Sequence, residues 1–260
     1  MSDALSIVHQ WPGFAVGDGP LAFTSTRNGG VSRGAYESLN VGRSVGDDDA
    51  HVTENRARLL ASHGIDVSSL ALCHQTHSNH VAIVSEGGGA LSRDIAAPAV
   101  DALATRTPGL AVGVMVADCA PVLLWAPGAG VVAAVHAGRV GMYDGILPNT
   151  LTRMRGKLGV AVADCLAIVG PSIGPCCYEV SSEIADSFRR RFGAEAAAGR
   201  QLDLWTTARR ILVDAGLEPD SVGVTANCSS CGPEALFSHR RDGRTTGRML
   251  SVVVAPDGGG

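Results

Sequence analysis

The stretch LAVGVMVADCAPVLLWAPGAGVVAAVHAGRVG, residues 110–141, determines the fold that this sequence predicts. It contains three apolar, β-prone runs, which are Leu110–Ala117, Val122–Trp125 and Val131–Val135. Residues 126–130, APGAG, form a turn that would let the last two runs pair as a hairpin. Such runs are typical of buried strands. We therefore expect them to lie at the centre of the molecule.

Two side chains capable of chemistry lie at the ends of these runs. Cys119 follows the first run directly after Asp118, and His136 ends the third run. Because a rigid sheet can hold side chains from its strand ends in one cleft, the thiol and the imidazole are expected to lie together. A buried structural cysteine is the alternative, but a neighbouring aspartate is atypical of a wholly apolar environment. The sequence therefore predicts a site at Cys119 and His136.

The composition favours one large soluble domain. The chain has 260 residues, of which 45% are hydrophobic, and this is enough to bury a substantial core. We expect a single domain over residues 1–254 and a flexible tail over residues 255–260. The formal net charge of −4 provides no basic surface for nucleic acid. No opening stretch combines a basic start, an apolar run and a small-residue cleavage site, and no apolar run approaches about 18 residues, so we expect a cytoplasmic protein without membrane contact.

Periodicity and turn residues predict the remaining elements. Helices are expected over residues 52–63, 143–157, 183–192 and 204–215. Further strands are expected over residues 21–25, 70–73, 81–84, 163–169, 221–226 and 249–254.

Two polar loops carry further candidate residues. Residues 26–34, TRNGGVSRG, contain Arg27 and Arg33 among glycines. This loop is either an ordinary surface turn or a segment whose amides and arginine bind an anion. Residues 74–80, HQTHSNH, place three histidines between two predicted strands, but their spacing does not match a helical metal-binding motif.

The chain has seven cysteines, an odd number in a chain long enough to need no cross-links, which favours free thiols, with some metal ligands among them, in a reducing compartment. Cys228 and Cys231 form a single CxxC pair, whereas a structural zinc site needs four ligands. Cys176 and Cys177 would complete such a site only if the fold brought them to this pair. We therefore expect these four cysteines to be free thiols.

Five motifs occur in an order typical of one known family. They are residues 75–78 (QTHS), 117–121 (ADCAP), 136–138 (HAG), 176–180 (CCYEV) and 238–248 (SHRRDGRTTGR). The sequence resembles the laccase-domain family, which was first described as multicopper polyphenol oxidases. That family is now regarded as purine nucleoside phosphorylases with adenosine deaminase activity. Residues 26–34 and 38–40 also resemble its N-terminal loop, so the match covers nearly the whole chain.

The resemblance implies both a fold and a site. The implied fold is α/β (α+β), a single domain with mixed β-sheets in an α/β/β/α layered arrangement. The implied site binds a metal ion, usually zinc and with copper as the other option, through His77, Cys119 and His136. These three would also be the catalytic residues. Arg27 and Asn40, in the N-terminal motifs, would bind the substrate.

The implied reactions are phosphorolysis of adenosine, inosine, guanosine and methylthioadenosine to base and ribose 1-phosphate, and deamination of adenosine to inosine. Two neutral imidazoles and a thiolate would leave the fourth position of a zinc ion open, as in catalytic zinc sites. Phosphorolysis also needs an anion pocket, for which Arg27, Arg240 and Arg241 are candidates. Family members often carry a tryptophan after the second site histidine. Residues 138–141, GRVG, lack it, which alters the pocket wall.

Other functions remain open on the sequence. Cys119 could be the nucleophile of a metal-free cysteine hydrolase with a histidine as its base. A non-catalytic metal-binding protein would result if Cys176 closed the triplet as a fourth ligand. Copper-dependent polyphenol oxidation needs many more histidines than the eight in this chain, most of which lie outside the motifs. No His-x-Glu occurs, which excludes the cytidine-deaminase type. The expected partners are purine nucleosides and phosphate, and the protein is expected to be a monomer or a weak homo-oligomer.

Overall fold

Two mixed β-sheets form the centre of the structure, a computed structural model that describes residues 5–9, 14, 19–85, 99–232 and 235–256. In spatial order, the first sheet contains β1 (Ser6–Val8), β2 (Ala22–Ser25), β13 (Met249–Val254), β6 (Ala111–Val116) and β3 (Leu70–Ala71). The second sheet contains β12 (Val222–Val224), β9 (Leu166–Val169), β7 (Ala120–Ala126), β8 (Val131–Ala137), β5 (Ala102–Thr105) and β4 (Val81–Ile83). A separate ribbon contains β10 (Ala197–Ala198) and β11 (Gln201–Leu202).

The four longer helices lie on the outer faces of these sheets. In the described residues the helices are α1 (Asp49–Ala61), α2 (Arg139–Tyr143), α3 (Ile146–Leu158), α4 (Ser182–Phe192), α5 (Leu204–Asp214) and α6 (His239–Asp242). Leu59 and Leu60 of α1 pack against Phe23 and Val252 of the first sheet. Apolar side chains of α3, α4 and α5 share one core with the outer face of the second sheet.

Strand β7 shows how the two sheets share the core. Its side chains alternate between the two faces of the sheet, as strand geometry requires. Val122 and Leu124 face the helices, whereas Leu123 packs in the inter-sheet core with Val112 and Val114 of β6. The layers therefore follow the order helix, sheet, sheet, helix, and the predicted α/β/β/α arrangement of a single domain is confirmed.

The chain passes from the first sheet to the second through Asp118 and Cys119, between β6 and β7. Strands β7 and β8 then pair antiparallel, with Pro121 opposite His136. Strand β5 lies on the other side of β8, and the backbone N–H of His136 donates to the carbonyl oxygen of Asp101 at 2.7 Å. Three segments that are distant in the sequence therefore meet at one end of the second sheet.

The C-terminal boundary differs slightly from the prediction. Ala255, which was assigned to the tail at residues 255–260, is buried, and its N–H donates to the carbonyl oxygen of Leu110 at 3.0 Å. Residues 257–260 lie outside the described residues. None of the helices in the described ranges combines the length and the apolar character needed to cross a bilayer.

Candidate metal centre

His77, Cys119 and His136 converge at the end of the second sheet. Their potential ligand atoms all lie within 4.8 Å of one another. The Cys119 Sγ lies 3.8 Å from the His77 Nε2, and the two imidazole rings meet edge to face with centroids 4.9 Å apart. Among the described residues, this group contains no fourth protein ligand, and Cys176 belongs to a different group. The donor set of two imidazoles and one thiolate is the one that zinc accepts in sites with an open position.

The Asp101 carboxylate holds both histidines in place. It is fully buried, and its Oδ1 accepts a hydrogen bond from His136 Nδ1 at 2.8 Å. This bond fixes the ring and leaves its Nε2 for a metal ion. The same carboxylate accepts hydrogen bonds from the backbone N–H groups of Thr76, His77 and Ser78, at 3.2, 3.0 and 2.6 Å. His77 itself has a left-handed backbone, with φ of 58°, which this cradle of hydrogen bonds supports.

Cys119 is positioned by its neighbour Asp118. Asp118 also has a left-handed backbone, with φ of 86°, at the crossing between the sheets. Its carboxylate accepts hydrogen bonds from the hydroxyls of Ser229 and Ser238, at 2.6 and 2.7 Å, and from the backbone N–H of Arg240 at 2.6 Å. The strained turn that presents the thiol is therefore fixed by two loops from the C-terminal third of the chain.

Gly138 allows two of the three ligands, Cys119 and His77, to approach the backbone closely. A Cβ atom at this position would lie 2.8 Å from Cys119 Sγ and 3.3 Å from His77 Cδ2. The φ of Gly138 is −70°, which any residue can adopt, so the requirement for glycine is steric.

The charges of the site act on one another. Burial raises the pKa of the Cys119 thiol, but the nearby His136 and His77 outweigh burial and lower it. Burial lowers the pKa of His136, but the Cys119 thiolate and the Asp101 carboxylate outweigh burial and raise it. Hydrogen bonds from His136 and Ser78 likewise hold the pKa of Asp101 well below its ordinary value, against the effect of its burial. Without a metal, these shifts favour a thiolate–imidazolium pair at neutral pH.

The triplet lies in a pocket of about 470 Å³. Its polar walls include His74, Arg139, Tyr178, Arg240 and Arg248, and its apolar walls include Met115, Ile173 and Leu204. The predicted site residues His77, Cys119 and His136 all line it, as does the predicted phosphate candidate Arg240.

The structure does not bring the two predicted substrate-binding residues to this pocket. Arg27 lines a second cavity, where its Nε donates to the carbonyl oxygen of Glu37 at 2.8 Å and its guanidinium stacks on Phe237. Asn40 is fully buried, and its side chain bonds to Gly42, Asp47 and the backbone N–H of Arg248. Both assignments rested on loop motifs, which do not reveal where a long side chain is directed. Arg241, the third phosphate candidate, also lines the second cavity.

Sequence reasoning missed several residues of the site. Asp101 stands at the start of a strand with no motif around it, and only its contacts reveal its role. Arg139, Tyr178 and Arg248 lie within or beside the recognised motifs but were not assigned a function from them.

The other four cysteines are free thiols, as expected, but the fold brings them together, which the sequence did not predict. The Sγ atoms of Cys176, Cys177, Cys228 and Cys231 all lie within 4.8 Å of one another. The chain segments after β9 and β12 bring them together, because these two strands are parallel neighbours. The ends of neighbouring parallel strands lie at the same edge of a sheet.

Known proteins share this fold and sequence. Residues 21–256 match the family model described as multi-copper polyphenol oxidoreductase laccase. The purine nucleoside phosphorylase YlmD of Geobacillus stearothermophilus is 36% identical over 246 residues, with 90% of each chain covered. The adenosine deaminase RL5 from an unknown prokaryotic organism is 35% identical over 247 residues, which cover 91% of this chain and 94% of the relative.

The fold comparison gives the same family. The crystal structure of YlmD from Geobacillus stearothermophilus has a TM-score of 0.91 and 34% identity, with 99% of this chain and 98% of that chain covered. The fold and the site together define the class of protein, which is a layered α/β protein with a His-Cys-His centre. The chain belongs to the laccase-like family of multi-copper polyphenol oxidoreductases.

The role of Asp101 can be tested through zinc affinity. We expect Asp101→Asn to weaken zinc binding at the triplet by about 10- to 100-fold, because the neutral amide no longer orients and polarises His136. Competition with a chromogenic chelator measures this affinity. Asp220→Asn, a change at an exposed carboxylate, is the matched control. An unchanged affinity in Asp101→Asn would show that the carboxylate acts only on the backbone.

The requirement for Gly138 can be tested with two glycine variants. Gly138→Ala should lower the zinc content of the triplet, because its Cβ would displace the Cys119 thiolate. Gly156→Ala in α3 should retain zinc and stabilise the protein by about 0.5–1 kcal/mol, since a Cβ there meets no atom within 4 Å. Elemental analysis and urea denaturation measure the two effects. Full zinc at the triplet in Gly138→Ala would contradict the close packing.

Proposed function

We propose that this protein is a zinc-dependent purine nucleoside enzyme. It catalyses phosphorolysis of adenosine, inosine, guanosine and methylthioadenosine, and hydrolytic deamination of adenosine. The observation that carries this proposal is the His77, Cys119 and His136 triplet, which has no fourth protein ligand among the described residues and opens into a pocket lined by four arginines. The names of the relatives YlmD and RL5 support the two reactions.

The residues present fit a zinc ion. Asp101 leaves His136 Nε2 available, and the lowered pKa of Cys119 favours the thiolate that binds metal. A zinc ion held by the triplet would supply Lewis-acid chemistry at its open coordination position. Copper-dependent polyphenol oxidation has less support. Among the described residues, the two groups that can hold a metal contain only two histidines between them.

The pocket walls suit a nucleoside. Met115, Ile173 and Leu204 offer apolar surface to a purine, and the aromatic ring of Tyr178 lies beside them. Burial raises the pKa of the Tyr178 hydroxyl, and the charges of Arg139 and Arg240 both act on that hydroxyl in the opposite direction. The Arg240 guanidinium lies 5.2 Å from the centre of the Tyr178 ring. In this chain, Tyr178 supplies an aromatic ring for the pocket that lacks the family's tryptophan.

Arg248 is the arginine that we assign to phosphate. It is half-buried, and its Nη1 donates to the carbonyl oxygens of Thr246 and Gly247, both at 2.9 Å. These bonds fix the guanidinium in the pocket wall, so that its remaining N–H groups can face an anion without further ordering. Arg139 and Arg240 lie in the same pocket and can share the phosphate charge.

The two reactions use the pocket differently. In phosphorolysis, a phosphate oxygen forms a bond to C1′ of the ribose, and the bond from C1′ to N9 breaks. The electron pair and a proton then go to the leaving purine. Arg248 and Arg240 would hold the phosphate against C1′. In deamination, a water oxygen adds at C6 and ammonia leaves, and no phosphate takes part. His74 is exposed and lines the same pocket outside the triplet, where it can accept or return a proton.

One experiment tests the proposed function directly. Metal-analysed protein is incubated with adenosine, inosine, guanosine and methylthioadenosine, with and without phosphate, and the products are separated by chromatography. We expect ribose 1-phosphate or its methylthio analogue only with phosphate, and ammonia from adenosine without it. Cys119→Ala should abolish both reactions. The absence of base and ammonia with zinc-loaded protein would refute the proposal.

The assignment of phosphate to Arg248 makes a separate prediction. Arg248→Ala should slow phosphorolysis by roughly 10- to 100-fold and affect deamination much less, because a charge-assisted contact contributes about 1.5–3 kcal/mol. Arg248→Lys should restore only part of the rate, since a point charge replaces a bidentate fork.

Arg27→Ala serves as the comparison, because Arg27 lines the other cavity. It should change the two rates by the same factor, if at all. Initial rates of base release and ammonia release on one preparation of each variant measure the difference. A selective loss of phosphorolysis in Arg27→Ala would return the phosphate site to the N-terminal loop.

A metal-free cysteine hydrolase is the second candidate, and one observation favours it. Cys119, His136 and Asp101 are arranged as nucleophile, base and orienting carboxylate, and the thiolate–imidazolium pair would be reactive. The same three residues would serve a metal site, so the state of the thiol in the purified protein distinguishes the two functions.

The pH dependence of alkylation provides this distinction. The lowered pKa of Cys119 means that the thiolate persists below the ordinary thiol range. In chelator-treated protein, the alkylation rate should therefore stay high at neutral pH and fall only on further acidification. In untreated protein, bound zinc should protect Cys119. Peptide mass spectrometry after timed labelling measures both rates. Rapid labelling of untreated protein, with nucleoside activity unchanged by chelator, would favour the hydrolase.

A further inference from the structure

A second group of ligands lies outside the nucleoside pocket. It consists of the four thiols of Cys176, Cys177, Cys228 and Cys231, whose Sγ atoms all lie within 4.8 Å of one another. A tetrahedral zinc ion with Zn–S bonds of about 2.3 Å needs sulfur atoms about 3.8 Å apart. The cluster therefore has the dimensions of a closed tetrathiolate site. None of its members lines the pocket of the His-Cys-His triplet.

The Cys228–Cys231 segment has the backbone of a metal-binding turn. The N–H of Gly232 donates to the carbonyl oxygen of Cys228 at 2.9 Å, which closes a tight loop around the pair. A Cβ atom at Gly232 would lie 2.1 Å from this oxygen, so only glycine fits directly after the CxxC pair. The turn directs the thiols of Cys228 and Cys231 toward the other two cysteines.

The sulfur of Cys228 is surrounded by hydrogen-bond donors. The backbone N–H of Gly174 donates to it at 3.3 Å, and the N–H groups of Ser230 and Cys231 also donate to it. Three donors directed at one sulfur stabilise a thiolate, because a neutral thiol is a weak acceptor. These bonds outweigh burial and lower the pKa of Cys228 to about 7. Cys228 is itself nearly buried, with 7% of its surface exposed.

The other two thiols come from a turn after β9. The N–H groups of Cys177 and Tyr178 both donate to the carbonyl oxygen of Gly174 at 3.0 Å, and this turn presents Cys176 and Cys177 to the CxxC pair. The Cys176 Sγ lies 3.3 Å from the Cys231 Sγ. Ser172 and Cys228 form a parallel bridge, so the two loops are held together by the backbone as well.

We propose that Cys176, Cys177, Cys228 and Cys231 bind a second, structural zinc ion. Binding converts four thiols and one Zn²⁺ into a tetrathiolate complex and releases the thiol protons to solvent, with no change of oxidation state. The four protein ligands leave no open position, which distinguishes this site from the triplet. Its ligands are separate from those of the triplet, so the second site does not rest on the proposed nucleoside chemistry.

The surroundings of the cluster offset the negative charge of a tetrathiolate. The Arg241 Nη1 donates to the carbonyl oxygen of Ser229 at 2.9 Å, on the CxxC turn. The Arg240 Nη1 donates to the carbonyl oxygen of Cys177 at 3.2 Å, on the opposite turn. One guanidinium therefore lies against each half of the site.

A metal ion at the cluster would hold one side of the nucleoside pocket in a fixed position. Ile173 and Tyr178 flank the Cys176–Cys177 turn and line that pocket. Ser229, inside the CxxC turn, bonds through its hydroxyl to the carboxylate of Asp118, beside Cys119. Loss of the second zinc ion should thus loosen substrate binding while the triplet keeps its own metal.

Zinc stoichiometry in full-length variants tests the proposal. Protein purified under reducing conditions should carry two zinc ions per chain. Cys119→Ala should keep one, and a Cys228→Ser/Cys231→Ser double variant should keep the other. Cys165→Ala, which removes a buried thiol outside both groups, is the matched control and should keep two. Elemental analysis against amino-acid quantification gives these numbers.

X-ray absorption of the zinc in Cys119→Ala provides a measurement that does not depend on the folding of the double variant. We expect a first shell of four sulfur atoms, whereas the triplet would give mixed nitrogen and sulfur. Cys119→Ala protein that contains no zinc, or zinc bound by nitrogen or oxygen, would overturn the proposal. Wild-type protein that is purified under reducing conditions in the presence of zinc and still contains a Cys176–Cys231 disulfide in place of the second zinc ion, as detected by mass spectrometry, would also overturn it. Failure of the nucleoside assay alone would leave these results unchanged, so the two proposals are tested separately.

Discussion

The buried Asp101 carboxylate is the constraint on which the site depends. It accepts the Nδ1 hydrogen bond of His136 and three backbone N–H groups around His77, so one side chain orients two ligands from different segments. A buried carboxylate is costly unless it is fully paired, and here all of its bonds serve the site. Because it bonds to the backbone of the His77 loop, it also supports the left-handed conformation that points this histidine at Cys119.

The layered architecture explains why the site can be both rigid and open. The chain changes sheets at Asp118 and Cys119, so the thiol emerges where the two sheets part and the ladder of β7 begins. The inter-sheet core fixes the strands beneath it, whereas the pocket above is lined by loops and by the ends of strands and helices. A metal ion needs rigidly held ligands, and a nucleoside that must enter and leave needs an open pocket.

Local patterns predicted the parts of the structure that depend on local contacts. The β7–β8 hairpin and β13 match the sequence, and the helices begin or end within a few residues of their predicted bounds. Local patterns also predicted that Cys119 and His136 lie close together, since both residues lie at the ends of strands that pair. The contact between Asp101 and His136 could not be predicted from spacing, because it joins strands 35 residues apart. The same limit applies to Arg27, whose loop was recognised but whose guanidinium turns to Glu37 and Phe237.

The four-cysteine cluster shows how a weak sequence signal gains meaning from topology. A single CxxC pair predicts little, and the second pair lies more than fifty residues earlier in the chain. Only the parallel pairing of β9 and β12 puts both loops at one sheet edge. The loops at that edge also bond to the nucleoside pocket. The Ser229 hydroxyl donates to the Asp118 carboxylate, and the Arg240 guanidinium donates to the carbonyl oxygen of Cys177. The loops that hold the thiols are thus the loops that hold the turn of the His-Cys-His centre, and ordering one set of ligands orders the surroundings of the other.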